Sequence, residues 1–149
     1  MSEKIVQRVR AILLTGDHKM LFIKRIKIDN SPPYWVAPGG GVESEDDDIF
    51  STLHRELLEE LGAHVEILQE AFVLRHEKAG KNLQEHFFIC RLIDYDLALR
   101  HGPEFNDPSR GEYLPDFVPL EKDAIAQLNI KTEELGHWLM QNLSTLNKI

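Results

Sequence analysis

The stretch from Asp47 to Gly62 constrains this chain more than any other. Phe50, Leu53, Leu57 and Leu61 recur at three- and four-residue spacing, the pattern of a helix with one apolar face. Gly62 stands where such a helix would end in a left-handed residue, and Ser44, Asp46 and Asp47 offer N-caps ahead of it. On that helix Glu56, Glu59 and Glu60 project from one side, within an arc of roughly 100°. Leu53, Leu57 and Leu61 fall on the adjoining arc. The chain is therefore expected to pack this helix on a sheet while carrying three carboxylates beside the packed face.

Like charges at helical neighbour spacing oppose folding by about 0.2–0.5 kcal/mol per exposed pair. The opposition grows where the surroundings are dry. Arg55 reaches Glu59 at i+4, which relieves part of it. A divalent cation would remove the rest, and hard oxygen donors suit Mg²⁺ or Mn²⁺. Just upstream, Gly39, Gly40 and Gly41 permit positive φ and let the backbone approach a ligand closely. Their carbonyls could complete a metal shell facing the helix. The Gly-Lys-Ser/Thr ending of a phosphate cradle is absent, so phosphates would be held through metal rather than by loop amides.

Around this centre the sequence reads as strands. Ile5–Leu14 and Met20–Arg25 flank the turn cluster Thr15–His18, and Tyr34–Ala37 forms an apolar stub before the glycines. Further strands are expected near Val65–Arg75 and Leu83–Ile93, and a short last one at Phe117–Leu120. Tyr95 to Glu112 reads as a long turn-rich loop, and Thr132 to Leu146 as a closing amphipathic helix. This order predicts an α/β protein of the α+β type, a mixed β-sheet with helices packed on it, in a single domain over residues 1–149.

The formal net charge of −8 argues against a nucleic-acid polymer as the main ligand. No apolar stretch is long enough to span a bilayer, and Met1-Ser2-Glu3-Lys4 shows no leader, so no membrane partner and a cytoplasmic location are expected. The one cysteine, Cys90, lies in the apolar run Phe87–Cys90 and reads as a small buried hydrophobe. No pair of histidines has zinc-ligand spacing with a third partner.

Pro38-Gly39-Gly40-Gly41-Val42-Glu43, followed by Arg55-Glu56-Leu57-Leu58-Glu59-Glu60-Leu61-Gly62-Ala63, closely resembles the Nudix box, G-x5-E-x7-R-E-U-x-E-E-x-G-U. The box covers about a sixth of the chain. Its second half matches, apart from a small final Ala63. In its first half an aspartate replaces glutamate. Counting back from Arg55 gives Asp47 and Gly41, whereas a one-residue insertion gives Asp46 and Gly40, the alignment we prefer because Val42-Glu43 keep their usual distance.

The resemblance implies a Nudix-like α/β/α sandwich. It also implies metal-dependent hydrolysis of a diphosphate linkage in a nucleoside diphosphate derivative, with Mg²⁺ as cofactor and Mn²⁺ as an alternative. Glu56, Glu59, Glu60 and the Gly40 carbonyl would hold the metal, and Arg55 would orient the glutamates by salt bridging. The general base is left open between the box acids Glu56 and Glu59 and a later one, Glu112 ahead of Glu104 and Asp107. Arg25 and Lys24 would meet substrate phosphate or else serve as sheet-edge charge. Glu85 would face the cleft or stand exposed at a strand end. The proline and tyrosine that mark the ADP-ribose and dinucleoside-polyphosphate subfamilies after the box do not occur between Gly62 and Tyr95. The family implies a small nucleotide-like partner and a homodimer. The competing readings are a non-catalytic nucleotide sensor, an isopentenyl-diphosphate isomerase and a fortuitous acidic motif.

Overall fold

The computed structural model describes residues 4–149, so the expectation about Met1-Ser2-Glu3 lies outside the described residues. Its strands are β1 (Ile5–Leu14), β2 (Lys19–Ile26), β3 (Tyr34–Val36), β4 (Gly39–Gly41), β5 (Ala63–Lys78), β6 (Lys81–Tyr95), β7 (Glu112–Pro119) and β8 (Ile130–Lys131). The helices are α1 (Ile49–Leu61), α2 (Lys122–Ala126) and α3 (Glu133–Leu146). The pairing is mixed: β3 and β8 run parallel, and the other registered pairs are antiparallel. Among the described residues no helix is long and apolar enough to cross a membrane. The chain divides into two compact units, and β1 runs from one into the other.

The first unit takes the chain up to Ile12 and Pro38–Arg100. Its strands lie in the order β5-β6-β1, with β4 on the other flank of β1. The β5–β6 hairpin is longer at both ends than the apolar pattern indicated, because its ladder continues through polar pairs such as Arg75↔Gln84 and Glu77↔Asn82. Register shifts within it re-aim the β5 side chains. α1 buries Leu53, Leu57 and Leu61 completely, as its periodicity requires. It starts two residues later than the pattern suggested. Asp48, rather than Ser44, Asp46 or Asp47, is the N-cap, its carboxylate accepting from the Ser51 amide at 2.8 Å. Gly62 closes the helix in the left-handed region, φ 58°, where a side chain would also strike the Asp96 carbonyl.

The second unit takes Leu13–Ala37 and His101–Ile149. Here β2 lies between β3 and the full length of β7, while β3 carries β8 on its far side. β7 begins at Glu112, five residues before the apolar run that announced it, so Glu112 opens a strand instead of ending a loop. Within this unit the segment before it folds into two short 3₁₀ turns, Pro103–Asn106 and Pro108–Arg110, each beginning with proline. α2 contributes Ile125, and α3 contributes Leu135, Leu139 and Leu146, to this unit's buried residues. Arg25 ties the unit together: its guanidinium lies 3.6 Å from the Tyr113 ring centre and donates to the carbonyls of Glu112 and Arg110, both at 2.7 Å.

Candidate active site

The site grows from α1 and from β4, the glycine strand beside β1. The expected glycine loop is in fact paired strand, with Gly39, Gly40 and Gly41 opposite Arg10, Val9 and Arg8. Only Gly39 of the three has positive φ, 154°, and a side chain on it would collide with the Val9 carbonyl. At Gly40 the constraint comes from the helix. A Cβ there would collide with the Glu56 carboxyl group, so the carboxylate lies directly against bare backbone.

Arg55 is the hub. Its Nε and Nη2 each donate to Asp46 at 2.9 Å, and Nη2 also donates to the Gly41 carbonyl at 3.1 Å. Nη1 reaches Glu56 at 3.1 Å and Glu59 at 3.4 Å, with Glu43 at 3.6 Å. One cation therefore draws together carboxylates from the helix and from the preceding loop. The loop anchor is Asp46: its carboxylate also takes the Thr52 hydroxyl and the Glu43 amide, both at 2.8 Å. This geometry matches the one-residue insertion in the box.

The electrostatics follow from that wiring. The guanidinium of Arg55, with the donors from Glu43 and Thr52, holds Asp46 well below the usual carboxylate range. Asp46 in turn raises the proton affinity of Arg55. Glu56 behaves oppositely. Burial pushes its carboxyl up, and the neighbouring Glu59 adds to this, while Arg55 pulls it back. The side chains of Glu56 and Glu59 are 14% and 28% exposed, so both are largely withdrawn from water. Among the described residues no three His, Cys, Asp or Glu side chains are already gathered as a metal shell.

A second charged cluster, one the sequence did not single out, lies in the same unit. Glu85, weighed as a possible exposed strand-end acid, is only 5% exposed. It accepts from Arg10 Nε at 3.0 Å and lies 2.7 Å from His76 Nε2, and these partners outweigh the cost of burying its charge. The signal for it was the spacing of Arg8 and Arg10, two cations on one face of a strand that otherwise enters the core. Of the remaining candidates, Lys24, Arg25, Glu104, Asp107 and Glu112 belong to the second unit. Lys24 lies 5.2 Å over the Trp35 ring, and Asp107 caps the turn at Ser109. Cys90 is fully buried, and burial pushes its thiol up to about 12.

A family model described as the NUDIX domain matches residues 4–139. A relative named RNA pyrophosphohydrolase, from Pelagibacter ubique (strain HTCC1062), is 30% identical over 116 residues, which is 66% of this chain and 71% of that protein. The solved NUDIX hydrolase from Nitrosomonas europaea superimposes with a TM-score of 0.70 at 16% identity, covering 95% of this chain and 90% of that one. The MutT protein from Methanosarcina mazei Go1 gives 0.69 at 17% identity, with 100% and 99% covered. At these identities the two structures speak for the fold alone. The chain belongs to the NUDIX domain family, and as an enzyme it falls among that family's pyrophosphohydrolases.

Proposed function

We propose that this enzyme hydrolyses a diphosphate linkage in a nucleoside diphosphate derivative, with Mg²⁺ or Mn²⁺ bound at the helix α1. The observation that carries this reading is the closure of Asp46, Glu56 and Glu59 around Arg55 beside bare backbone at Gly40. The donor set fits a hard divalent ion: carboxylates on one helical face, one of them pressed on a glycine whose missing side chain leaves its carboxyl room. Glu56, Glu59, Glu60 and the Gly40 carbonyl would hold the ion. When bound, it supplies Lewis-acid polarisation of the phosphoryl oxygens and a more acidic water.

The chain's own groups supply the rest. Arg55 is a positioning residue that keeps Glu56 and Glu59 aimed and apart, and Asp46 fixes Arg55 in turn. Water attacks phosphorus, the bridging oxygen leaves with the phosphorylated remainder, and the water's proton passes to a carboxylate. Glu56 and Glu59 are the nearest candidates, and Glu112 on β7 is the alternative. We read residues 1–149 as one functional domain, which the family match across both units supports. A net charge of −8 favours a small nucleotide over a polymer. A short RNA with a 5′ polyphosphate still belongs in the trial set, because the relative is named for RNA.

The test is a nucleotide panel with Mg²⁺ or Mn²⁺, read by phosphate release after added phosphatase. Glu59→Gln is expected to lower turnover by at least about 100-fold without altering the circular dichroism spectrum, since charge stabilisation at phosphorus carries most of the rate. Glu112→Gln run beside it separates the two sources of the base. Wild-type turnover in Glu59→Gln would falsify the assignment.

A further inference from the structure

Arg8 and Arg10 are two residues apart on β1, so their side chains share one face of the strand. Val9 and Ala11, fully buried, occupy the other. That other face is the one α1 covers: Gln7 meets His86 at 2.8 Å, and Phe88, two residues along β6, packs on Phe50 of α1 with ring centres 5.3 Å apart. The arginines therefore stand on the sheet face turned away from the helix.

Arg10 is matched there by Glu85 at 3.0 Å. Arg8 is not matched in the same way, because its Nε–H is buried with no hydrogen-bond partner. A buried donor on a charged group is expensive to leave unsatisfied, and native chains keep such groups for a reason. The flank beside it is also open. Gly41 of β4 pairs with Arg8, and a Cβ on Gly41 would meet nothing within 4 Å. Directly opposed residues share a face, so the absent side chain leaves the face beside Arg8 clear at Gly41. Burial and the neighbouring Arg10 oppose the charge of Arg8, while Glu85, and after it Glu56 and Glu60 of α1, favour it.

We propose that Arg8 is a substrate-binding residue, its guanidinium donating to an oxygen of the substrate's diphosphate in the opening beside Gly41. The planar fork of arginine suits two phosphate oxygens better than the point charge of lysine. The inference rests on the hydrolytic reading above for its substrate class. Its own support is the orphaned Nε–H and the cleared flank.

Calorimetric titration with inorganic pyrophosphate, in buffers with and without Mg²⁺, tests it on wild type, Arg8→Met, Arg8→Lys and Glu59→Gln. Arg8→Met is expected to weaken pyrophosphate binding by about 10- to 100-fold, the range for a charge-assisted hydrogen bond. It should raise KM by a similar factor while Tm stays level or rises, because an unsatisfied buried charge has gone. Arg8→Lys should recover part of the affinity, and Glu59→Gln should bind pyrophosphate while losing turnover. Equal affinity in wild type and Arg8→Met in both buffers overturns the proposal, as does an absence of wild-type binding in both. A fall in Tm with unchanged affinity makes Arg8 structural and overturns it too. Persisting turnover in Glu59→Gln would instead strike the hydrolytic reading and leave the Arg8 titration to stand by itself.

Discussion

At the scale of single residues, the site depends as much on absent side chains as on present ones. Gly40 and Gly41 are neighbours with opposite tolerances. A methyl group on Gly40 would strike the Glu56 carboxyl, whereas one on Gly41 would meet open space. Gly40→Ala should therefore cost about 1 kcal/mol, the low end for overpacking, because the Glu56 carboxyl has to swing aside from Arg55. Gly41→Ala should stay within about 0.5 kcal/mol, as surface substitutions do. Urea unfolding of the two variants checks the contrast, and similar losses in both would contradict the close contact at Gly40. Asp46 shows the converse, a short side chain with several obligations. It receives two guanidinium nitrogens, a hydroxyl and a backbone amide, so the aspartate that breaks the box pattern is the best-connected carboxylate of the loop.

At the scale of elements, legibility followed the strength of the local pattern. α1 and α3 were readable because each repeats its leucines over more than two turns, and β1 was readable to the residue. β4 was not, since three glycines carry no hydrophobic pattern and become a strand only through pairing with β1. α2 and β8 were missed for a similar reason: at five and two residues they are too short for any periodicity. Near the acidic helix, the pairing of Arg55 with Glu59 was legible from its i+4 spacing. The Arg10–Glu85–His76 cluster was not, because it joins β1 to the β5–β6 hairpin, with Arg10 and Glu85 75 residues apart. The start of α1 also lay beyond pattern alone, in a run of three aspartates where only geometry picks Asp48. Asp48→Ala should then cost about 1 kcal/mol, the usual worth of an N-cap. Asp47→Ala, one residue outside the cap, should cost markedly less in the same chemical denaturation.

At the scale of the whole molecule, a chain with eight surplus negative charges concentrates several of them around one arginine. A bound divalent ion would relieve this and should stabilise the fold in proportion to its occupancy. With Mg²⁺ or Mn²⁺ at about a hundred times its dissociation constant the gain is about 2.7 kcal/mol. For a protein of this size that raises Tm by roughly 2–4 °C per kcal/mol. A thermal scan with and without metal measures it, and Glu56→Gln should shrink the shift. An unchanged Tm across a metal titration would count against an ion at α1.

The bare strand β4 also limits how this enzyme can diversify. Its first two positions resist a side chain, Gly39 by colliding with the backbone of the neighbouring strand and Gly40 by displacing the Glu56 carboxyl of α1. Mutational drift in what the enzyme accepts has little purchase there. Altered selectivity has to be inscribed elsewhere, so a library built to redirect the enzyme should hold Gly39 and Gly40 fixed and vary the positions that face them.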